Sequence, residues 1–283
     1  MVNEKFMTII EGFNSFFSEF EFEGIESGRF YNTLIWRIRE EGLNGAYNYV
    51  LAYFKLINNP YVNEVKEKMQ SQEFVKLVKK SSEILPHKTI NSRLEIYFGN
   101  PGVGKTNTVI ANNPEAEVML CNSNFEPNDL LETFDVETAK EELEAMGINY
   151  EKAEDMNVYR SSSVNELLYT LLALNGGKPK YKPTALMTAI KKGKPVILDE
   201  IGKLTKQCQD FLVGFTDNKK SFEFKGEKIK IEEGFKIIGT MNLEINGNIY
   251  ALQSPLVDRA AKLVEVHPNI ELLTKISLYE EGE

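Results

Sequence analysis

The sequence predicts an α/β domain, a parallel five-stranded sheet flanked by helices, with a helical unit ahead of it. Three runs of residues carry this. Leu94, Glu95, Ile96, Tyr97 and Phe98 form a β-prone stretch that feeds Gly99-Asn100-Pro101-Gly102-Val103-Gly104-Lys105-Thr106. Val196-Ile197-Leu198 ends on Asp199-Glu200, and Phe235 to Gly239 runs into Thr240-Met241-Asn242. Short apolar runs separated by helical stretches are the mark of parallel strands buried on both faces.

At 283 residues and 42% apolar content the chain has room for one α/β domain and a smaller unit. It holds no apolar run of about 18 residues, and Met1-Val2-Asn3-Glu4-Lys5 does not open a leader, so a soluble, cytoplasmic protein is expected. Cys121 and Cys208 are far apart in sequence and read as free thiols; with His87 and His267 the only histidines, no zinc cluster can be assembled. Eleven acidic and three basic residues lie between Glu126 and Arg160, so this segment holds nearly all of the net charge of −9. An acidic total gives no support for a protein that coats nucleic acid non-specifically.

In chain order, residues 1–85 read as an N-terminal helical domain. Phe6, Ile9, Ile10, Phe13, Phe16 and Phe17 recur at helical spacing, as do Tyr47, Val50, Leu51 and Phe54. Gly24, Gly28, Gly42 and Asn58-Asn59-Pro60 divide the region into about four helices. The aromatics are either the core of this bundle or a docking face for a partner protein. Residues 86–92 form a linker, and 93–283 the nucleotide-binding domain, with an acidic insert at about 126–160. Within it, Glu117 to Leu120 is a second strand, Asn122 to Leu131 a polar turn feeding a helix, and Val164 to Leu174 a helix. Gly176 to Pro183 is a loop with three lysines, and Ala185 to Lys192 is again helical. Ser221 to Phe224 and Lys228 to Ile231 alternate in period two across Lys225-Gly226-Glu227, a hairpin; Lys262 to Val266 is a last strand and Ile270 to Tyr279 a last helix. The acidic insert is a solvated face or a patch for a basic partner.

The stretch at Gly99 fits G-x-x-x-x-G-K-[ST], a loop whose backbone N–H groups wrap phosphate. Gly99, Asn100, Pro101, Gly102, Val103, Gly104, Lys105, Thr106 and Asn107 are the expected nucleotide-binding residues. Lys105 reaches the β/γ oxygens, and the Thr106 hydroxyl binds Mg²⁺. Asp199, at the C-terminal end of a strand, is the second Mg²⁺ residue, and Glu200 orients or deprotonates water for phosphoryl transfer.

The order of these elements, with the local pattern Thr240-Met241-Asn242 followed by Leu256-Val257-Asp258-Arg259, resembles the AAA+ ATPases, specifically the dynein-related and MoxR-like branch. The resemblance covers about residues 93–268. It implies that Lys105 and Thr106 stand in Walker A and Asp199 and Glu200 in Walker B. Asn242 matches sensor 1, and Arg259 matches the arginine finger that enters a neighbour's site; a strand-end cap and an ion pair with Asp258 or the acidic segment are the plainer roles. A homo-oligomeric ring of six subunits hydrolysing ATP to move a macromolecule follows from the resemblance. Lys178, Lys180, Tyr181 and Lys182, with Lys225 and Lys228 as a second set, are the candidates to grip nucleic acid or protein. Only 24 residues follow Arg259, too few for the family's C-terminal lid; either the lid is dispensed with, or another protein covers the nucleotide, or the N-terminal helices take its place, the last being the working hypothesis. Three rivals stand beside this reading: a GTP-dependent motor similar to those of modification-dependent restriction systems, a nucleotide-gated assembly switch with little turnover, and a small-molecule kinase.

Overall fold

Local sequence sets where each element starts and stops. The computed structural model describes residues 4–20, 28–82, 92–148, 164–245 and 248–268. The N-terminal part holds α1 (Glu4–Phe17), α2 (Gly28–Leu56), α3 (Val62–Lys68) and α4 (Gln72–Ser82). There follow β1 (Leu94–Gly99), α5 (Lys105–Asn112), β2 (Glu117–Leu120), β3 (Glu132–Phe134), α6 (Val136–Ala145), α7 (Val164–Leu174), β4 (Tyr181–Pro183), α8 (Ala185–Lys192) and β5 (Pro195–Asp199). The chain continues through α9 (Lys206–Thr216), β6 (Ser221–Phe224), β7 (Glu227–Lys230), β8 (Lys236–Asn242), β9 (Glu244–Ile245), β10 (Asn248–Ile249), α10 (Ser254–Val257) and β11 (Ala260–Glu265). Asp135, Thr184 and Thr205 each cap the helix that follows by accepting a backbone N–H, from Thr138, Met187 and Cys208. Gly193 in the left-handed region ends α8.

Five strands pair in parallel in the order β11-β1-β8-β5-β2. This is the expected five-stranded sheet. Because β1 and β2 are separated by β8 and β5, the loop after β1 opens at the carboxyl edge where the winding changes direction, which is where such sheets bind ligands. Val109 of α5 packs on Ile197 and Ile238 on one face; Ile96, Phe98, Val196, Leu198 and Ile237 face the main core.

That core runs without a break into the N-terminal helices. Phe13, Phe16, Phe17, Phe30, Tyr53, Phe54 and Phe74 are all but inaccessible to solvent, with ring pairs such as Phe30–Tyr53 at 4.8 Å and Phe16–Phe17 at 5.0 Å. Pairs of this kind contribute about 0.5–1.5 kcal/mol each beyond their buried area. The aromatic stripes are core. Polar bonds tie the same helices to the sheet: Tyr53 Oη donates to Asp258 Oδ1 at 2.7 Å, Lys55 Nζ meets Glu265 Oε1 at 2.6 Å, and Leu252 N donates to Leu56 O at 2.8 Å. Gly42, at φ 66°, ψ −145°, leaves helical geometry inside α2, so this element is two helical stretches joined at a kink, as expected from the glycine.

Three local expectations change. Asn122 to Leu131 feeds a short 3₁₀ turn at Pro127–Leu130 and then β3, rather than a helix. The lysine loop contains β4, paired antiparallel with β3, because Tyr181 and Lys182 find backbone partners there. The hairpin turn is two residues long: Phe224 pairs with Glu227, and Lys225 (φ 50°) and Gly226 (φ 79°) make the type I′ geometry that matches strand twist. The linker 86–91, the insert beyond residue 148 as far as 160, and the helix expected at Ile270 to Tyr279 lie outside the described residues.

Candidate functional site

β1 delivers the chain to the loop through a glycine that cannot be replaced without a clash. A Cβ on Gly99 would lie 2.4 Å from Val266 O, since Val266 N donates to Phe98 O at 2.8 Å and holds the end of β11 against β1. Gly102 (φ 78°) and Gly104 (φ 81°) then take left-handed conformations with open space where a Cβ would be. Gly104 caps α5 without a side chain, so the first N–H groups of that helix are left to point outward, the arrangement that attracts phosphate. Pro101, Gly102 and Asn107 are exposed, Val103 and Gly104 half-buried.

Lys105 turns back into this loop. It is 6% exposed, and its Nζ donates to Gly99 O (3.1 Å), Asn100 O (2.6 Å) and Asn242 Oδ1 (2.6 Å). Strand register makes the last bond possible, because Gly99 pairs with Asn242 at the shared end of β1 and β8. Burial pushes the Lys105 ammonium below its usual range, while the charges of Asp199 and Glu200 pull it back up. Phosphate oxygens would replace the two carbonyls as acceptors and add the negative charge this ammonium lacks.

On β5 and β8 the acidic pair is fixed by hydroxyls. Thr106 Oγ1 donates to Asp199 Oδ1 at 2.7 Å, and Thr240 Oγ1 donates to the same oxygen. Thr240 Oγ1 also accepts from Glu200 N at 3.2 Å. Glu200 adopts φ 59°, a left-handed turn that swings its carboxylate away from β5 toward Asn242, whose Nδ2 donates to Glu200 Oε1 at 3.4 Å. Lys203, one turn on, forms an ion pair with the other carboxylate oxygen; that hydrogen bond raises the Lys203 pKa against the opposing effect of desolvation. Thr240 and Lys203 were not among the expected site residues. The signal for Lys203 is its place three residues after Glu200, and for Thr240 its place one pleat before Asn242, on the same face of β8. The donors nearest one another at Thr106, Asp199 and Thr240 are all hard oxygens, a set that suits Mg²⁺ held partly through water.

Lys105, Thr106, Asp199, Glu200 and Asn242 thus come together; Arg259 does not join them. It precedes β11, at the opposite end of the sheet, where Ala260 pairs with Leu94. Its Nη1 donates to Pro255 O at 2.8 Å, and its Nε lies 3.7 Å from Asp217 Oδ2.

Residues 141–260 match the family model of the AAA domain (dynein-related subfamily). Asp199, Glu200, Asn242 and Arg259 fall within the matched AAA segment, and the glycine-rich loop precedes it. A solved structure from Cytophaga hutchinsonii, described as a candidate ATPase, is similar at 12% identity with a TM-score of 0.39; the match covers 97% of this chain and 58% of that one, so the chain spans little over half of its length. No curated protein matches. No helix among the described residues is long and apolar enough to cross a membrane.

The lysine loop and the acidic insert face one another. Lys180 pairs with Glu142, and Lys182 with Glu137 (2.7 Å) and Asp135 (3.4 Å). Lys225 pairs with Glu132 and stands 4.8 Å over the Tyr181 ring. Part of the acidic charge is therefore answered within the chain.

Proposed function

We propose that this chain hydrolyses ATP with Mg²⁺ as a subunit of a closed ring of six copies, coupling turnover to the movement of a macromolecule. The observation that carries the reading is one network. Lys105, Asn242 and Glu200 are linked in series, and Thr106 and Thr240 converge on Asp199 beside them.

Each residue has a role that follows from its surroundings. The left-handed glycines expose backbone N–H groups to the phosphates, and Lys105 neutralises β/γ charge in a site where burial strengthens the interaction. Thr106 and Asp199 would hold Mg²⁺, which when bound neutralises charge on the β and γ oxygens. Glu200 accepts a hydrogen bond, and then a proton, from the attacking water. Asn242 and Lys203 fix that carboxylate from both sides.

Arg259 acts on another copy's phosphates in this reading. From Leu94 to Gly99 is five steps of strand, roughly 16 Å at 3.3 Å per residue, more than an arginine side chain spans. A head-to-tail contact supplies the missing charge and generates a ring when it closes. The α2–α3 turn at Asn58-Asn59 lies beside Leu243, Glu244 and Tyr250 around a cavity of about 210 Å³, next to Asn242, and in this reading flanks the nucleotide. Lys178 and Lys228 are the cargo-facing cations, since Lys180, Lys182 and Lys225 already have acidic partners.

Turnover of ATP and GTP by the full chain tests the chemistry. Wild type is expected to prefer ATP, Glu200→Gln to bind nucleotide with kcat reduced by about 10²–10³, and Lys105→Ala to bind weakly. Equal rates in wild type and Glu200→Gln would turn the reading to an assembly switch, and faster turnover of GTP would turn it to a GTP motor.

A further inference from the structure

Three side chains of α2, two before its Gly42 kink and one after it, close around Arg259. Tyr53 of α2 donates to Asp258 Oδ1 at 2.7 Å, on the residue immediately before it. Arg37 of α2 donates from Nη2 to Ala261 O at 2.7 Å, two residues after it. Arg29, in the first turn of α2, grips Asp217 with two parallel bonds, Nη1 to Oδ1 at 2.9 Å and Nη2 to Oδ2 at 3.1 Å, and Asp217 is the carboxylate beside Arg259 Nε.

The chemistry of these contacts goes beyond packing. Asp258 is 6% exposed, so its bond to the buried Tyr53 hydroxyl fixes the turn between α10 and β11 from which Arg259 projects. Burial alone would raise the Asp217 carboxyl; Arg29 and Arg259 outweigh it and hold the group below its usual range, so it is an anion throughout the neutral range. Arg259 Nε is itself buried and makes no hydrogen bond; the fork is oriented by the 3.7 Å ion pair to Asp217 on that side and by the 2.8 Å bond from Nη1 to Pro255 O. Asp217 has two oxygens and two arginines; its better bonds go to Arg29, so its hold on Arg259 is the longer, looser one.

We infer that α2 and Asp217 are a positioning device for Arg259: Tyr53, Arg37 and Arg29 set the pose in which Arg259 is offered to the next copy's nucleotide, and displacement of α2 changes turnover at the neighbour's site rather than at its own. This rests on the reading of Arg259 as a residue acting in trans. It makes the helical unit, which lies outside the matched AAA segment, the arm through which anything bound to residues 28–56 would reach a second subunit's chemistry.

The test uses polarity. Lys105→Ala copies can donate Arg259 but have no working site, and Arg259→Ala copies have a site but no finger; mixed, they recover turnover at interfaces of one orientation. Tyr53→Phe or Asp217→Asn is then added to one partner at a time. On the donating Lys105→Ala copy, either is expected to lower recovered kcat by about 10- to 100-fold with KM for ATP unchanged, since misplacement of this order has that cost. On the accepting Arg259→Ala copy, either leaves recovery intact. A substitution that merely weakened the fold would act from both sides. Equal loss from both partners, or no loss from either, overturns the positioning role while leaving the hydrolysis reading in place. Absence of recovery in the parent pair overturns the trans reading and this inference with it, whereas wild-type turnover and its loss in Glu200→Gln judge the hydrolysis reading separately.

Discussion

Thr106 Oγ1 donates to Asp199 Oδ1 at 2.7 Å, joining the last residue of the glycine-rich loop to the end of a strand 93 positions later. A hydroxyl and a carboxylate this close would share one hard cation, with the hydroxyl of Thr240 keeping the carboxylate turned toward it. Thr106→Ala is expected to raise the Mg²⁺ concentration needed for half-maximal ATP turnover, and Asp199→Asn to lower kcat by about 10²–10³. Titration of turnover against Mg²⁺ checks both; unchanged Mg²⁺ dependence in the two variants would remove these residues from the metal site.

Two glycines of the same loop separate backbone strain from steric clash. Gly104 sits at φ 81° with nothing near its missing Cβ, so Gly104→Ala costs the left-handed strain alone, about 1–2 kcal/mol. Gly99→Ala adds a Cβ 2.4 Å from Val266 O and must push β11 off β1. Thermal unfolding is expected to show the larger Tm loss for Gly99→Ala, at about 2–4 °C per kcal/mol. The opposite order would mean that the contact between Gly99 and Val266 is not close in solution.

The strands and the loop were legible because each has a local cause: apolar runs for β1, β5 and β8, and glycines where φ must be positive. The partners of those residues were not. Thr240 meets Asp199 only through the register of β5 on β8, and Lys203 meets Glu200 only because Glu200 turns left-handed, a conformation a non-glycine residue adopts under tertiary constraint. The lysine loop misled for the same reason. Composition marks Lys180 and Lys182 as free cations, while the pairing of β3 with β4 sets them against Glu137 and Glu142. In the hairpin, alternation fixed the strands but not the register, which is set by Lys225 and Gly226 both taking positive φ.

That turn can be tested by splitting its two residues. Gly226→Ala is expected to strain the turn at φ 79° by about 1 kcal/mol, and to speed hydrogen exchange across β6 and β7. Lys225→Asn keeps a residue that tolerates φ 50° and removes only the link to Glu132 and Tyr181, so those amides stay protected. Equal acceleration in both variants would show that the side-chain link, not the turn, holds the hairpin.

Cys121 supplies the pH dependence. It is 1% exposed at the end of β2, and desolvation, reinforced by Asp199, Cys208 and Glu200, pushes its thiol up to about 12. An unfolded cysteine titrates near 8.5. The folded chain therefore holds this proton where the unfolded chain has lost it. The contribution is complete below about pH 8.5 and is lost progressively as pH rises toward the folded value. Each pH unit in that window costs up to about 1.4 kcal/mol for one such group. Cys208, also buried and also raised by desolvation, acts in the same direction. Stability measured by denaturant unfolding between pH 8 and 11 is expected to fall in wild type and to fall less steeply in Cys121→Ala, even though that variant starts lower from the space left behind. Thiol labelling at pH 8 gives the companion result: neither cysteine reacts until the chain unfolds. Prompt labelling of the folded chain would mean that the edge of the sheet at β2 opens to solvent, and a slope unchanged by Cys121→Ala would assign the alkaline loss to other groups.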